Sequence, residues 1–336
     1  VLLSTELGQM KYRQLQLRRN HSSSVPNSID IYTPIYGQYL PELPLFINTE
    51  EQQRYFALNL QDQIFLNDQW SVLFGARFDH ITQDFQNKLT DTSSKKDLQQ
   101  TSPRLGLNYR LNDRWSWYAN YGESFALNSG MDRNGDVFNP EKGKSYEIGG
   151  KYQITPQSLL SLALFKMDKE NVLTTDPADS NYQITAGEVS SKGLEVDLET
   201  QLNDQFSIRA NYSYTDAQVE KDQILAKGSR LSNVPKHSGS ISSNYEWTLA
   251  NADKVGLGAT AIYVGKRSGH STDNGFNLPE YTLLNLNAYY APTDQLRYQF
   301  NVHNLLDETY YVASYSDMWI QPGDPLNASI SVQWKF

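Results

Sequence analysis

Apolar and polar residues alternate one by one along most of this chain. In the segment 206–215, FSIRANYSYT, every second side chain is apolar and the side chains between are polar. The same alternation occurs in 194–202, 146–154 and 296–303, and it continues to the last residue in 327–336, NASISVQWKF. Because successive side chains of a β-strand point to opposite faces, the pattern predicts strands of about ten residues with one apolar and one polar face.

Short and long connections alternate between the predicted strands. The short ones contain Asn, Asp or Pro, which favour tight turns, and they lie at 67–68, 112–114, 155–157, 203–204, 250–253 and 292–295. The long ones are polar and lie at roughly 20–51, 86–99, 126–142, 171–186, 217–233, 267–278 and 305–325. This arrangement predicts about fourteen strands with all short turns at one end of the sheet.

Short turns at one end and long loops at the other are typical of an outer-membrane β-barrel, whose strands are apolar outside and polar inside. The predicted fold class is therefore all-β, an antiparallel transmembrane β-barrel that closes to satisfy its backbone in lipid. A mean hydropathy of -0.59 is compatible with this fold, because only half of each strand faces lipid. The polar inner face predicts a hydrated lumen that holds a channel or a separate plug.

Composition excludes several other classes. The 336 residues include no cysteine, which excludes disulfides and thiolate metal sites, and a net charge of -9 argues against a nucleic-acid partner.

The segment 132–136, DRNGD, lacks the Gly and Glu that a calcium-binding EF-hand loop places at its sixth and twelfth positions, so a polar turn is expected. His237 and Ser238 are neighbours whose side chains point to opposite faces of a strand, which argues against a hydrolase. No enzymatic activity and no catalytic residue are expected.

An ordered series of segments resembles the TonB-dependent outer-membrane receptors, and among them the ferric-siderophore receptors. The resemblance follows the family's order along essentially the whole chain. The segment 24–37, SVPNSIDIYTPIYG, further resembles the ferrichrome-type hydroxamate receptors. The ordered segments are 55–80, 102–125, 139–152 (NPEKGKSYEIGGKY), 190–217, 233–245 (NVPKHSGSISSNY) and 301–311 (NVHNLLDETYY).

The resemblance implies a 22-stranded barrel plugged by an N-terminal domain. Residues 1–336 would be its C-terminal part, with the plug and the first barrel strands outside this chain; Val1 already lies in a predicted strand. It also implies a receptor in the outer membrane of a Gram-negative bacterium, a monomer in contact with lipid and lipopolysaccharide. Such a receptor binds a ferric siderophore, here of hydroxamate type, and passes it to the periplasm when TonB–ExbB–ExbD acts on the plug. Because the ligand already chelates the iron, no cofactor or protein metal ligand is expected.

Candidate ligand contacts are aromatic residues in the predicted surface loops. Tyr315 and Trp319 lie in the last long loop, and Tyr32, Tyr36 and Tyr39 lie in the first. The alternative is that these side chains pack loop against loop or belong to an aromatic girdle at the membrane boundary.

Two other functions remain open from the sequence. The first is a plugless, fourteen-stranded diffusion channel, which requires the strand at 2–16 to pair with the strand at 326–336. The second is a surface adhesin or phage-attachment barrel whose loops bind macromolecules. Uptake of a labelled ferric siderophore that needs an energised inner membrane separates the transporter from both.

The chain ends on an aromatic residue, and this ending resembles the signal that the barrel-assembly machinery recognises in outer-membrane proteins. Phe336 is the last residue, and Trp334 lies on the same face of the predicted strand. We expect Phe336→Ser to lower the amount of assembled barrel more than it affects ligand recognition. Outer-membrane barrel levels measure this effect, and normal levels in the variant would refute the role of Phe336.

Overall fold

The computed structural model describes residues 1–18, 32–37, 42–179, 181–251, 253–270 and 272–336, and its regular elements there are all β-strands. Within these ranges, no helix is long and apolar enough to cross a membrane. The strands are β1 (Leu2–Leu17), β2 (Leu45–Phe65), β3 (Trp70–Asn87), β4 (Thr92–Arg110), β5 (Trp115–Ala126), β6 (Glu141–Thr155), β7 (Ser158–Thr175), β8 (Gln183–Gln201), β9 (Phe206–Lys221), β10 (His237–Thr248), β11 (Lys254–Val264), β12 (Arg267–Ser268), β13 (Asn277–Leu278), β14 (Tyr281–Thr293), β15 (Leu296–His303), β16 (Tyr311–Ser316), β17 (Trp319–Pro322) and β18 (Asn327–Trp334).

Fourteen of these strands form one antiparallel sheet in the order β1 to β11, then β14, β15 and β18. The remaining four form two small hairpins, β12–β13 and β16–β17, inside the connections on either side of β14–β15. The predicted fold class and strand number are therefore confirmed. In the described residues β1 pairs with β2 alone and β18 with β15 alone, so the closure that a complete fourteen-stranded channel requires is not formed.

The short turns lie together at one end of the sheet, which we call the turn end; the opposite end is the loop end. Three of these turns have the sequence Leu-Asn-Asp, followed after one further residue by an aromatic. In each turn the Asn side-chain oxygen accepts hydrogen bonds from two backbone N–H groups, as at Asn67, where Gln69 and Trp70 donate over 2.9 Å. Asn112 and Asn203 repeat this arrangement, so local turn chemistry sets three of the hairpin registers.

The pairing register keeps the apolar residues of neighbouring strands on one face, which we call the outer face. One row of paired outer residues crosses eight strands from the turn end toward the loop end, as tilted strands of a barrel require. All of its members are apolar or aromatic, as a lipid-facing surface requires. The row is Trp115, Tyr152, Leu160, Leu198, Ala210, Ile241, Ala261 and Leu284.

Aromatic rings line the outer face beside the short turns. Trp70 stacks on Tyr109 with ring centroids 4.3 Å apart, and Trp115 stacks on Tyr152 at 4.2 Å. Such rings have an apolar body and a polar tip, and they favour the boundary between lipid and water. The turn end therefore carries one aromatic girdle. Further pairs along it are Phe206–Tyr245, Tyr290–Tyr298 and Trp334–Phe336.

Toward the loop end the polarity of the two faces is exchanged. On β3 the outer Phe78 is followed by the outer residues His80 and Thr82, whereas the inner Ile81 and Phe85 are buried. The strands thus continue as a water-exposed sheet with an inner core. The predicted loop at 86–99 is therefore wrong for most of its length, because β3 ends at Asn87 and β4 begins at Thr92. The predicted loop at 171–186 is likewise shortened to the segment between β7 and β8.

Inner tyrosines lie flat across glycines of the neighbouring strand. Tyr289 of β14 crosses Gly256 of β11 and donates a hydrogen bond to Glu246 of β10. A Cβ atom on Gly256 would lie 2.0 Å from the Tyr289 ring. The Arg297 guanidinium carbon lies 3.6 Å from the centroid of the same ring and confines it. The same arrangement recurs in Tyr55–Gly8–Glu6 and Tyr118–Gly149–Glu147.

The edge strand β1 is tied to its neighbours above the outer apolar band. Lys11, Arg13 and Lys88 converge on Glu50, with nitrogen-to-oxygen distances of 2.5, 2.9 and 2.7 Å. Hydrogen bonds from Lys11 and Lys88 lower the pKa of Glu50 to about 2. These exposed ion pairs fix the position of the strand end more than they stabilise the fold.

The acidic ladder on the inner face of β8 is only partly neutralised. The ladder is Glu195, Asp197 and Glu199, and its alternation with apolar residues in 194–202 predicts pairing across the sheet with inner Arg and Lys residues such as Arg209 and Lys151. Arg209 does place its Nη2 2.8 Å from Oε1 of Glu199. Lys151 instead lies 6.0 Å from the ring centroid of Tyr118, and in the described residues it forms no ion pair with the ladder. The predicted pairing is confirmed for Arg209 and wrong for Lys151.

The last strand, β18, is an edge strand of the sheet, and its C-terminus lies at the turn end. Its apolar residues continue the outer face, because Val332 pairs with Tyr298 and Ile330 pairs with Phe300. Beyond β18 the Lys335 N–H donates to the carbonyl of Gln295 over 2.8 Å. Phe336 is fully exposed and its ring lies 5.5 Å from that of Trp334.

The close contact between the Tyr289 ring and Gly256 can be tested by substitution. We expect Gly256→Ala to displace the ring and break its hydrogen bond, lowering the free energy of unfolding by about 1–3 kcal/mol. Gly122→Ala is the matched control on the same inner face, because its Cβ would meet its nearest atom at an ordinary 3.4 Å. Urea unfolding of the refolded protein in detergent measures both variants. Equal stabilities would contradict the packing described here.

Candidate functional site

The hairpin β16–β17 projects from the loop end and carries two of the predicted ligand contacts, Tyr315 and Trp319. Tyr315 and Trp319 are 69% and 71% exposed, and their ring centroids lie 6.4 Å apart. Met318 at the tip is 84% exposed. A groove of about 700 Å³ runs along the hairpin beside these side chains. The structure therefore brings Tyr315 and Trp319 together, as a shared ligand contact requires.

The predicted contacts of the first long loop lie partly on the described segment 32–37. Tyr32 and Tyr36 are 88% and 81% exposed on the short segment 32–37. Tyr39 lies outside the described residues. Tyr315 and Trp319 make their ring contact with each other. The ligand contacts predicted for the first loop stay predictions.

A buried arginine holds the base of the hairpin. Arg267, between β11 and β14, is 1% exposed and donates from Nη2 to the carbonyls of Tyr311 and Val312, the latter over 3.0 Å. Its Nη1 lies 3.4 Å from the carbonyl of Pro279. Burial lowers the pKa of Arg267, but a guanidinium remains protonated. The guanidinium N–H groups of Arg267 therefore donate hydrogen bonds to backbone carbonyls of two different loops.

An asparagine joins a third loop to the same base. Asn233, between β9 and β10, donates from its amide to the carbonyl of Ser314 over 2.8 Å and accepts from the Ser314 N–H over 2.9 Å. Its φ of 63° lies in the left-handed region that Asn tolerates. The Ser314 hydroxyl donates to the carbonyl of Gly269. The loops after β9, β11 and β15 are thus interlocked beneath an exposed tip, and we call this assembly the clamped platform.

A second candidate site lies where the β5–β6 loop folds over the inner face of the sheet. Its Ser129 hydroxyl donates to the buried carboxylate of Glu51, which also accepts from the Gln83 amide over 2.8 Å. Gln83 donates as well to the carbonyl of Asn128 over 2.9 Å. Phe138 of the loop is buried. Hydrogen bonds and an apolar side chain together hold this loop inward.

A cavity of about 510 Å³ opens beside this inward loop. Its volume falls in the range of small-molecule sites, and it combines aromatic side chains with amides, as such sites do. The structure thus adds candidate contacts that the sequence pattern does not single out. They are Phe46, Phe85, Phe138 and Tyr182, with the amides of Asn48, Asn87 and Asn134. The exchange of polarity between the two faces of β3 is the local signal that points to Phe85.

Metal-binding side chains do not cluster in the part of the chain that the structure describes. No group of three or more His, Cys, Asp or Glu residues there is placed to hold a metal ion. Asp132 uses its carboxylate within its own turn, where it accepts from the N–H groups of Asn134 and Asp136 over 2.8 and 3.0 Å. The segment 132–136 is thus a hydrogen-bonded turn, as the sequence predicts.

The clamped platform depends on Arg267, and this dependence is testable. Arg267→Met would leave the carbonyls of Tyr311, Val312 and Pro279 without their donor, a cost of about 1–3 kcal/mol for each buried group. We expect faster limited proteolysis within 311–322, with the barrel itself still assembled. Lys266→Met is the matched control, because Lys266 is the exposed neighbour. Equal cleavage rates in the two variants would contradict the clamp.

Comparison with known proteins agrees with this architecture. The family model for the TonB dependent receptor-like beta-barrel matches residues 3–305. The chain is 40% identical over 321 residues to the metal-pseudopaline receptor CntO of Pseudomonas aeruginosa (strain UCBPP-PA14), covering 94% of this chain and 45% of that protein. It is 30% identical over 274 residues to the ferrichrome outer membrane transporter/phage receptor of Escherichia coli (strain K12), covering 78% and 36%.

A solved structure shares the fold. The ferric-catecholate import receptor Fiu from K12 E. coli superposes with a TM-score of 0.78 and 22% sequence identity, covering 99% of this chain and 52% of that one. The chain thus spans about half the length of the proteins it matches or less. It belongs to the TonB-dependent receptor β-barrel family, and it is an antiparallel β-barrel portion of a receptor of the Gram-negative outer membrane.

Proposed function

We propose that the protein containing this chain captures a metal chelate at the cell surface and passes it to the periplasm by TonB-dependent active transport. One observation carries the proposal: in a chain of this family, exposed aromatic side chains project from interlocked loops at the loop end. In outer-membrane barrels the end with the long loops faces the medium. Rigid loops lower the entropy that binding costs. The protein is proposed to carry out no catalytic step.

The proposed architecture extends beyond this chain. Residues 1–336 would form the C-terminal part of a longer barrel, in which further strands cover the free edges of β1 and β18. A plug inside that barrel would be the part on which TonB–ExbB–ExbD acts. The receptor is proposed to function as a monomer among outer-membrane lipid and lipopolysaccharide, after the barrel-assembly machinery has recognised Phe336.

Two kinds of cargo are supported by different relatives. The relative with 40% identity is a metal-pseudopaline receptor, and its name specifies a metal without naming iron. The ferric hydroxamate that the sequence predicts is supported by the 30% identical ferrichrome transporter. In both cases the metal is proposed to arrive inside its chelator, so that the protein would supply contacts to the chelate and no direct metal ligands.

Uptake by metal-starved cells tests the proposed function. Cells that lack other metal-chelate receptors would express the full-length receptor and receive radiolabelled ferrichrome or metal-pseudopaline. We expect one of the two complexes to accumulate, and accumulation to stop when TonB is deleted. Uptake that continues without TonB would favour a diffusion channel. No uptake of either complex, combined with phage adsorption, would favour an attachment barrel.

The aromatic pair on the hairpin gives a residue-level prediction. Trp319→Ala and Tyr315→Ala are each expected to weaken chelate binding by about tenfold, the factor that corresponds to about 1.4 kcal/mol of lost aromatic contact. Trp247→Ala is the control, because Trp247 lies in the aromatic girdle at the turn end. Equilibrium binding of the labelled chelate to outer membranes measures the change. Unchanged affinity in both hairpin variants would return Tyr315 and Trp319 to a role in loop packing.

A further inference from the structure

Tyrosines mark the boundary of the outer apolar band on the side of the loop end. Tyr121 of β5 and Tyr146 of β6 are partners in the register, and their ring centroids lie 5.2 Å apart. Tyr214 of β9 is the partner of His237 of β10, and these rings also lie 5.2 Å apart. Such rings favour the boundary between lipid and water. The sheet therefore carries a second aromatic girdle, which we call the upper girdle.

Two lysines interrupt the upper girdle on β7 and β8. Lys166 of β7 and Lys192 of β8 stand directly opposite each other on the outer face, and we call them the lysine pair. Tyr146 of the upper girdle is the partner of Lys166 on its other side. The next outer residues toward the turn end are Leu164 and Leu194, which belong to the apolar band. Both ammonium groups therefore lie at the height where lipid headgroups begin.

Nearby carboxylates neutralise the lysine pair only in part. Like charges directly opposite each other in a sheet are destabilising. Asp168 lies 2.9 Å from the ammonium nitrogen of Lys166. Asp216 lies 3.9 Å from that of Lys192 and 3.6 Å from that of Lys236. Three ammonium groups therefore share two carboxylates, and Lys192 makes the longest of these contacts.

The charges around the lysine pair on β5 to β9 and the loop after β9 stand in pairs of opposite sign. Each of these pairs joins one lysine to one glutamate, so that together they add no net charge. The excess positive charge of this surface is therefore located at the lysine pair, next to the apolar band. The surrounding pairs are Glu123–Lys144, Lys142–Glu170, Glu188–Lys221 and Glu220–Lys227.

The chemistry of this position fits a lipid phosphate. Cβ atoms of directly paired residues lie about 5 Å apart, so two flexible lysine stems can converge on one anion. A phosphate oxygen accepts charge-assisted hydrogen bonds from each ammonium group. Lysine stems lie along apolar surface while their charged ends stay in water, and basic residues at a membrane surface attract anionic headgroups. Because the long loops of such barrels face the medium, the lipid at this height belongs to the outer leaflet.

We propose that the lysine pair binds a phosphate of lipopolysaccharide, whose acyl chains then lie against Leu164 and Leu194 of the apolar band. The bound phosphate neutralises two like charges that the register places side by side. The inference goes beyond the proposed function, because it assigns a lipid site on the outside of the barrel and holds for any transported chelate. In the competing outcome the two lysines set the depth of the barrel in the membrane without binding a phosphate.

Binding of lipid A, the phosphorylated anchor of lipopolysaccharide, to the full-length receptor in detergent tests the site. We expect Lys166→Met and Lys192→Met each to weaken the binding of fluorescent phosphorylated lipid A by about tenfold. Lys169→Met is the matched control, because Lys169 lies on the inner face of the same strand and forms an ion pair with Glu141 at 3.1 Å. Its side chain is 58% exposed, against 56% for Lys166. Equal losses for Lys166→Met and Lys169→Met, or unchanged binding in both variants of the lysine pair, would overturn the proposal.

Removal of the lipid phosphates separates a phosphate site from a simple membrane anchor. We expect dephosphorylated lipid A to bind the wild-type receptor about tenfold more weakly than phosphorylated lipid A, and this difference to disappear in Lys166→Met. Equal binding of the two lipids by the wild-type receptor would show that the lysines act only as an anchor, and would overturn the proposal. Displacement of phosphorylated lipid A by an equal concentration of inorganic phosphate would also overturn it, because the site would then recognise a free anion and not a lipid.

Discussion

Every backbone N–H and C=O group that lies in lipid must find a partner within the protein, and the whole sheet depends on this requirement. Twelve of the fourteen strands satisfy it on both sides, because each is paired with two neighbours. The first and last strands satisfy it on one side, since β1 pairs with β2 and β18 pairs with β15. A sheet with two such edges is stable in a membrane only when further strands cover them. The proposed longer barrel follows from this constraint.

The same constraint divides each long strand into two parts with different packing. In the lipid the apolar side chains face outward, and at the loop end they face inward, as the buried Ile81 and Phe85 of β3 show. The projecting strand ends form a wall on which surface loops can be fixed. Arg267 and Asn233 use buried hydrogen bonds to interlock three of these loops, and the hairpin tip with Trp319 stays exposed. Rigid support with an exposed aromatic tip suits the capture of a ligand from the medium.

Local patterns explain why much of the fold could be predicted from the sequence. The alternation of side chains identifies the strands and their faces, and turns such as the one at Asn67 depend on side chains within a few residues. The loop end could not be predicted in the same way, because polar outer residues in 86–99 have the composition of a loop although they lie mostly in β3 and β4. Of the candidate contacts, the pattern placed Tyr315 and Trp319 in one loop and the structure brings their rings together, while their role in ligand binding stays a prediction. The clamp beneath them joins Asn233 to Ser314, 81 residues apart, and no local pattern reveals such a contact.

Disulfide cross-linking of the full-length receptor tests most directly whether the sheet is an open part of a larger barrel. Paired cysteines would be placed on outer residues of β1, such as Leu7, and of β18, such as Ile330. Phe300 with Ile330 serves as the positive control, because these residues are partners in the register. A disulfide requires Cα atoms within about 7 Å. The account predicts that the control pair cross-links and that no pair joining β1 to β18 does, because other strands lie between them. Efficient cross-links between β1 and β18 would show a closed fourteen-stranded barrel and contradict the account.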